Sequence, residues 1–113
     1  MITVNNIECK EGSASFDRSG PLSEWRGEAL FSIPQKTINI LDIGKYSGPL
    51  FGYNFYPIDI SGEIYITNAR KNNEGLIESV KFVGNGAPID DEGKELKSLL
   101  PFPTLYRSLN LPF

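Results

Sequence analysis

The 113-residue sequence contains no histidine and only one cysteine. Without histidine the chain has no Ser-His or Cys-His nucleophilic pair, no imidazole metal ligand and no imidazole general base. A single thiol, Cys9, forms neither an internal disulfide nor a thiolate zinc site. We therefore predict no metal and no cofactor and assign no catalytic residue; we favour a protein that is not an enzyme, and leave carboxylate-based catalysis open.

A basic surface is also missing. The chain has 11 Lys and Arg against 14 Asp and Glu, with a formal net charge of -3, and Arg70-Lys71 is its single pair of adjacent basic residues. Nucleic-acid binding depends on a local excess of positive charge, because neutralised phosphates supply most of the affinity. We therefore predict that nucleic acid is not a partner.

Long apolar runs are absent as well. No stretch approaches the roughly 18 apolar residues that indicate a membrane span. The start of the sequence, with polar Asn5-Asn6 close behind Met1, lacks the charged segment and apolar run of a secretory signal. We expect a cytoplasmic protein that does not contact a membrane.

What the sequence does have is an alternation of apolar and polar residues with a period of two, typical of half-buried strands. In one such segment Trp25, Ala29, Phe31 and Ile33 share one side. The pattern predicts strands at 2–9, 13–17, 25–33, 37–43, 49–57, 59–67 and 75–83, with a turn at 10–12 and a break at 34–35. With 11 Gly and 8 Pro, this favours one β-rich domain over residues 1–113, an antiparallel β-barrel or sandwich of about seven strands.

One short helix is predicted near 90–100. Asp90 or Asp91 can cap its first turn, and Pro101 ends it. Its apolar stripe is Leu96, Leu99 and Leu100. A Pro-rich C-terminal tail, 101–113, follows. The tail either packs back over an open end of the β-structure or docks on another chain, and a dimer satisfies both interpretations.

The stretch PLFGYNFYPIDISG, residues 49–62, places four aromatic side chains in six positions. One interpretation is a central strand covered on both faces. The other is an open face for a partner or ligand, since Tyr and Phe give large contact area at low entropic cost. The candidate binding residues are Phe51, Tyr53, Phe55, Tyr56 and, from the tail, Tyr106.

Three functions remain open. The leading hypothesis is a non-enzymatic binding module that contacts another protein, or a second copy, through the aromatic strand and the tail. An inhibitory or toxin-neutralising protein would suit the acidic charge, because acidic surfaces complement basic targets. The second is a small β-barrel that binds an apolar small molecule, lined by Trp25, Phe31, Phe51, Tyr53, Phe55 and Phe82.

The third hypothesis is a His-free enzyme that uses paired carboxylates. Asp42 and Asp59 are its candidates. Asp42 has the same parity as Ile38 and Ile40, so the alternation predicts that it points inward.

Overall fold

A computed structural model describes residues 1–17, 24–38, 40, 42–52 and 56–96. These residues form seven strands and no helix. The strands are β1 (Ile2–Val4), β2 (Ile7–Asp17), β3 (Glu24–Gln35), β4 (Ile43–Phe51), β5 (Ile58–Lys71), β6 (Ile77–Gly84) and β7 (Ile89–Asp90).

Six of the strands close into an antiparallel barrel. Around it the order is β1, β2, β3, β6, β5 and β4, and β4 pairs again with β1. A short parallel contact joins β2 to β4 at Ala14 and Leu50. β7 pairs with β5 near the start of that strand, at Ile60 and Ser61. The mostly β, antiparallel architecture is confirmed, and of the two predicted forms it is the barrel, whose closure leaves no long free edge.

The first hairpin turns earlier than predicted. Asn5 and Asn6 have φ of 55° and 65°, and Val4 pairs with Ile7 across them. Asparagine tolerates this left-handed conformation, which two-residue hairpin turns require. The predicted turn at 10–12 is wrong, because β2 runs through it with only a register shift between Cys9 and Glu11.

The predicted strand at 37–43 is also wrong. β3 continues through Pro34 to Gln35, with a register shift against β6 between Leu30 and Gln35, and the next strand starts only at Ile43. The β-branched residues at 37, 38 and 40 looked like a strand, but strand preference reflects packing against neighbours more than an intrinsic backbone preference. Here those residues form the connection between β3 and β4.

The predicted hairpin of 59–67 with 75–83 is confirmed as β5 and β6, although both strands differ in length from the prediction. Its loop is held by Asn72, whose Oδ1 accepts hydrogen bonds from the backbone N–H groups of Glu74 and Leu76 at 2.8 and 3.0 Å. Such a side-chain acceptor stabilises a tight turn. The loop therefore spans 72–76 rather than 68–74.

The predicted helix does not begin at Asp90. That residue lies in β7, and its Oδ1 accepts the backbone N–H groups of Glu92 and Lys94, both at 2.9 Å. The same side-chain acceptor that can cap a helix here stabilises a turn. The turn reverses the chain direction, and Glu95 forms an antiparallel β-bridge with Ile89. The rest of the predicted helix, 97–100, and the tail, 101–113, lie outside the described residues.

Candidate binding surface

The interior of the barrel contains a cluster of buried aromatic rings. Trp25, Tyr46 and Phe82 are 3%, 0% and 1% exposed. The Tyr46 and Phe82 ring centroids lie 4.8 Å apart, and each lies 6.3 Å from that of Trp25. These separations are in the range of favourable aromatic pairs. The three rings form one cluster, the core rings, around which the aliphatic core residues pack.

Glycines make the room for the core rings. A Cβ at Gly84 would lie 2.1 Å from Trp25 Nε1, and one at Gly62 would lie 2.8 Å from Trp25 Cζ2. The Trp25 ring therefore lies directly on the backbone of two neighbouring strands. This part of the barrel holds side chains at close packing, as protein interiors generally do.

This arrangement corrects the predicted lining of a ligand-binding barrel. Trp25, Phe31 and Phe82 do face inward and are buried. Phe51, in contrast, is 45% exposed, because odd-numbered residues of β4 face out and Tyr46, Gly48 and Leu50 face in. Tyr53 and Phe55 lie outside the described residues.

The polar atoms of the core rings already have partners. The Trp25 indole N–H donates to the carbonyl of Gly86, and the Tyr46 hydroxyl donates to the carbonyl of Pro49, both at 2.8 Å. Burial raises the pKa of Tyr46 far above its ordinary value. A buried, hydrogen-bonded phenol of this kind stabilises the fold and is a poor proton donor at neutral pH.

Cys9 is equally unsuited to chemistry. It is buried, its thiol donates to the carbonyl of Ile7 at 3.5 Å, and burial raises its pKa. A raised pKa lowers the fraction of reactive thiolate. Cys9 therefore packs as a small apolar residue.

The two candidate carboxylates, Asp42 and Asp59, do not form a paired site. Asp42 is exposed, so the prediction that it points inward is wrong; it lies in the connection before β4 and so does not follow strand alternation. Ile43, the residue next to Asp42, pairs with Tyr65 on β5. Tyr65 lies six residues along β5 from Asp59, a distance of about 20 Å. Paired-carboxylate catalysis needs separations of roughly 5 to 9.5 Å. No group of three potential metal ligands occurs among the described residues.

A groove is lined by residues of β1, β2, β3, β5 and β6. It has a volume of about 550 Å³, is open to solvent, and is lined in part by Glu11, Leu30, Arg70 and Ser79. Arg70 Nε lies 2.8 Å from Glu78 Oε2. This charge is already neutralised by a neighbour on β6, so the described lining of the groove offers no unpaired cation that would select an anionic ligand.

Two aromatic side chains project into solvent where β4 ends. Phe51, the last residue of β4, is 45% exposed, and Tyr56 is 78% exposed. Leu50 pairs with Ile58, so the end of β4, which carries Phe51, lies beside the start of β5, which follows Tyr56 by two residues. We call Phe51 and Tyr56 the aromatic rim. The strand predicted over 49–57 thus ends at Phe51, and both described candidates are exposed rather than buried on two faces. The other candidates, Tyr53, Phe55 and Tyr106, lie outside the described residues.

A second group of apolar side chains was not expected at the surface. Ile33, Ile40 and Ile43 are 72%, 50% and 60% exposed, whereas the alternation pattern placed Ile33 and Ile40 on inner faces. We call these three residues the isoleucine end. Pro34, directly after Ile33, is the sequence feature that indicates a break in the alternation at Ile33, because proline inside a strand marks an edge or a bulge.

Comparison of the chain with protein-family models, with curated proteins and with solved structures finds no match. No helix in the described ranges is long and apolar enough to span a membrane.

Proposed function

We propose that this protein is a non-enzymatic binding module that contacts another protein through the aromatic rim. The observation that supports this most is the exposure of Phe51 and Tyr56, in contrast to the buried aromatic rings inside the barrel. Aromatic residues in water are costly to leave uncovered and are among the side chains that contribute most at protein interfaces.

The position of the rim favours recognition. Its connection is anchored by the antiparallel pairing of β4 with β5, from Ile43–Tyr65 to Leu50–Ile58. A contact residue held by a rigid scaffold loses little conformational entropy when a partner binds. Tyrosine adds a hydroxyl that can orient the partner while its ring supplies area.

The net charge of -3 suggests the chemistry of the partner. An acidic protein attracts a basic one over long range and speeds their encounter. We therefore favour a basic protein partner, which would suit an inhibitory or toxin-neutralising role in the cytoplasm. Tyr53, Phe55 and Tyr106 remain predicted contributors to the same surface.

The test begins with affinity capture from the native cell and identification of the captured protein by mass spectrometry. Binding of that purified protein is then measured by calorimetry for the wild type, Phe51→Ala and Tyr56→Ala. We expect each variant to lose at least about tenfold in affinity, which corresponds to about 1.4 kcal/mol. Unfolding free energies should stay within about 0.5 kcal/mol of wild type, as is usual for exposed sites.

Ile43→Ala is the matched control, because it truncates an exposed apolar residue on the same strand. Unchanged affinity in both aromatic variants would rule out the rim as the binding surface. If light scattering shows that the protein self-associates and that Tyr56→Ala abolishes this, the partner is a second copy.

A further inference from the structure

The turn after β6 contains the only Asn-Gly dipeptide of the sequence, Asn85-Gly86. Gly86 has φ of 89° and is exposed, with open space around it, so the turn depends on glycine. The sequence pattern predicts positive φ for both residues, but only Gly86 adopts it.

Asparagine before glycine is chemically labile. The backbone nitrogen of glycine can attack the side-chain carbon Cγ of the asparagine, because glycine has no side chain to shield the approach. The new N–C bond closes a succinimide ring and ammonia leaves. Water then opens the ring to give aspartate, or isoaspartate if the original backbone bond breaks instead.

In this structure the asparagine amide faces a carboxylate. The Asn85 backbone N–H donates to the carbonyl of Glu63 at 2.8 Å, and Asn85 Nδ2 donates to Glu63 Oε1 at 3.2 Å. Deamidation would replace the Nδ2 donor by an oxygen of a second carboxylate. Two like charges at this distance repel each other where a hydrogen bond had held the turn to β5.

The same turn reaches the core. The carbonyl of Gly86 accepts the Trp25 indole N–H at 2.8 Å, and this is the polar anchor of the largest core ring. Isoaspartate would insert an extra backbone carbon just before Gly86 and displace that carbonyl. A buried donor left without its acceptor costs the full desolvation of the group.

We propose that Asn85 is a site of spontaneous deamidation, and that the reaction releases Trp25 from its anchor and loosens the barrel. The protein would thereby lose stability slowly and irreversibly as Asn85 deamidates. Water is the only co-reactant.

The first experiment incubates the purified full-length protein in mildly alkaline buffer at physiological temperature. Peptide mapping by mass spectrometry then follows the mass gain of amide hydrolysis at each asparagine. We expect the gain at Asn85 well before Asn5 or Asn72, together with a red shift of Trp25 emission and a lower Tm. Asn85→Gln is the matched control and should show none of these changes over the same period.

A second experiment separates the chemistry from its structural consequence. Asn85→Asp mimics the aspartate product and should lower Tm, and the loss should shrink when Glu63→Gln is added, because the second variant removes the repulsion. An unmodified Asn85 after prolonged incubation, when a synthetic peptide of the same turn has reacted, would refute the site. Complete modification with unchanged Trp25 emission and Tm would refute the link to the core.

Discussion

Two groups of aromatic residues in this barrel have opposite surroundings. The core rings, Trp25, Tyr46 and Phe82, are at most 3% exposed, and the polar atoms of the first two are hydrogen-bonded. The aromatic rim, Phe51 and Tyr56, is 45% and 78% exposed. The residue types overlap, so side-chain chemistry alone does not decide which aromatic residue is structural.

What separates the two groups is the fit of the neighbouring backbone. Gly62 and Gly84 lie against Trp25 so closely that no Cβ would fit at either position. Tyr46 and Phe51 occupy one strand, β4, but have opposite parity and so face opposite sides. The core rings are therefore fixed by close packing, and we attribute recognition to the rim.

The largest expected effect comes from filling the space under a core ring. Gly84→Ala places a methyl group against Trp25 Nε1, and we expect it to lower the unfolding free energy by about 3 kcal/mol through overpacking. Urea denaturation measures this loss, and Trp25 emission should shift because the ring must move.

Gly75→Ala is the comparison, since the position is open and only its φ of 78° opposes a side chain. This variant should lower the unfolding free energy by about 1 kcal/mol and leave the Trp25 emission unchanged. Equal costs and equal spectra in the two variants would contradict the packing argument.

A smaller effect is expected when a core ring loses its polar atom. Tyr46→Phe removes the hydrogen bond to the Pro49 carbonyl and should cost about 1 kcal/mol at neutral pH. Burial raises the pKa of Tyr46 above the ordinary value of about 10, so above that pH the unfolded chain releases a proton that the folded protein retains. The contribution of this phenol to the unfolding free energy is therefore fully present below about pH 10. It falls above that pH, by up to about 1.4 kcal/mol per pH unit.

Tyr46→Phe lacks this titration, so the stability difference between wild type and variant should shrink between about pH 10 and pH 11. Urea denaturation of both proteins across this range isolates the contribution of one phenol, because all other titrating groups are shared. A difference that stays constant with pH would show that Tyr46 ionises equally easily in the folded protein.

The sequence predicts an antiparallel β-rich domain, a barrel or a sandwich, because the alternation that identifies individual strands is local. Alternation over 59–67 and 75–83 identifies β5 and β6, and the parity of Trp25, Ala29 and Phe31 identifies the inner face of β3. The errors at 37–43 and 10–12 arise where long-range pairing decides. Whether a β-branched run becomes a strand depends on a partner strand with matching register, and a single chain pattern does not contain that register.

The candidate surface is less predictable for a related reason. The sequence names two of the described aromatic residues, Phe51 and Tyr56, as candidates, but alternation alone leaves open whether they are buried. The end of β4 at Phe51 decides their exposure, and a strand end depends on pairing. The isoleucine end was missed because the register shift near Pro34 takes Ile33 out of the alternation.

The smallest effect is expected at the isoleucine end, where the exposed side chains are aliphatic rather than aromatic. Ile33→Ser and Ile43→Ser replace side chains that are 72% and 60% exposed, so each should change the unfolding free energy by no more than about 0.5 kcal/mol. We also expect both variants to bind the captured partner with an affinity within about twofold of wild type in calorimetry. Tyr56→Ala should lose affinity instead, because aromatic residues contribute more to interface energies than aliphatic ones do.

Ile43 lies eight residues along β4 from Phe51, a distance of about 26 Å. A partner of ordinary size centred on the rim would therefore reach Ile43 only with the edge of its interface. Loss of binding in the isoleucine variants with retention in Tyr56→Ala would reverse the assignment, and the exposed aromatic rings would then lose their proposed role in recognition.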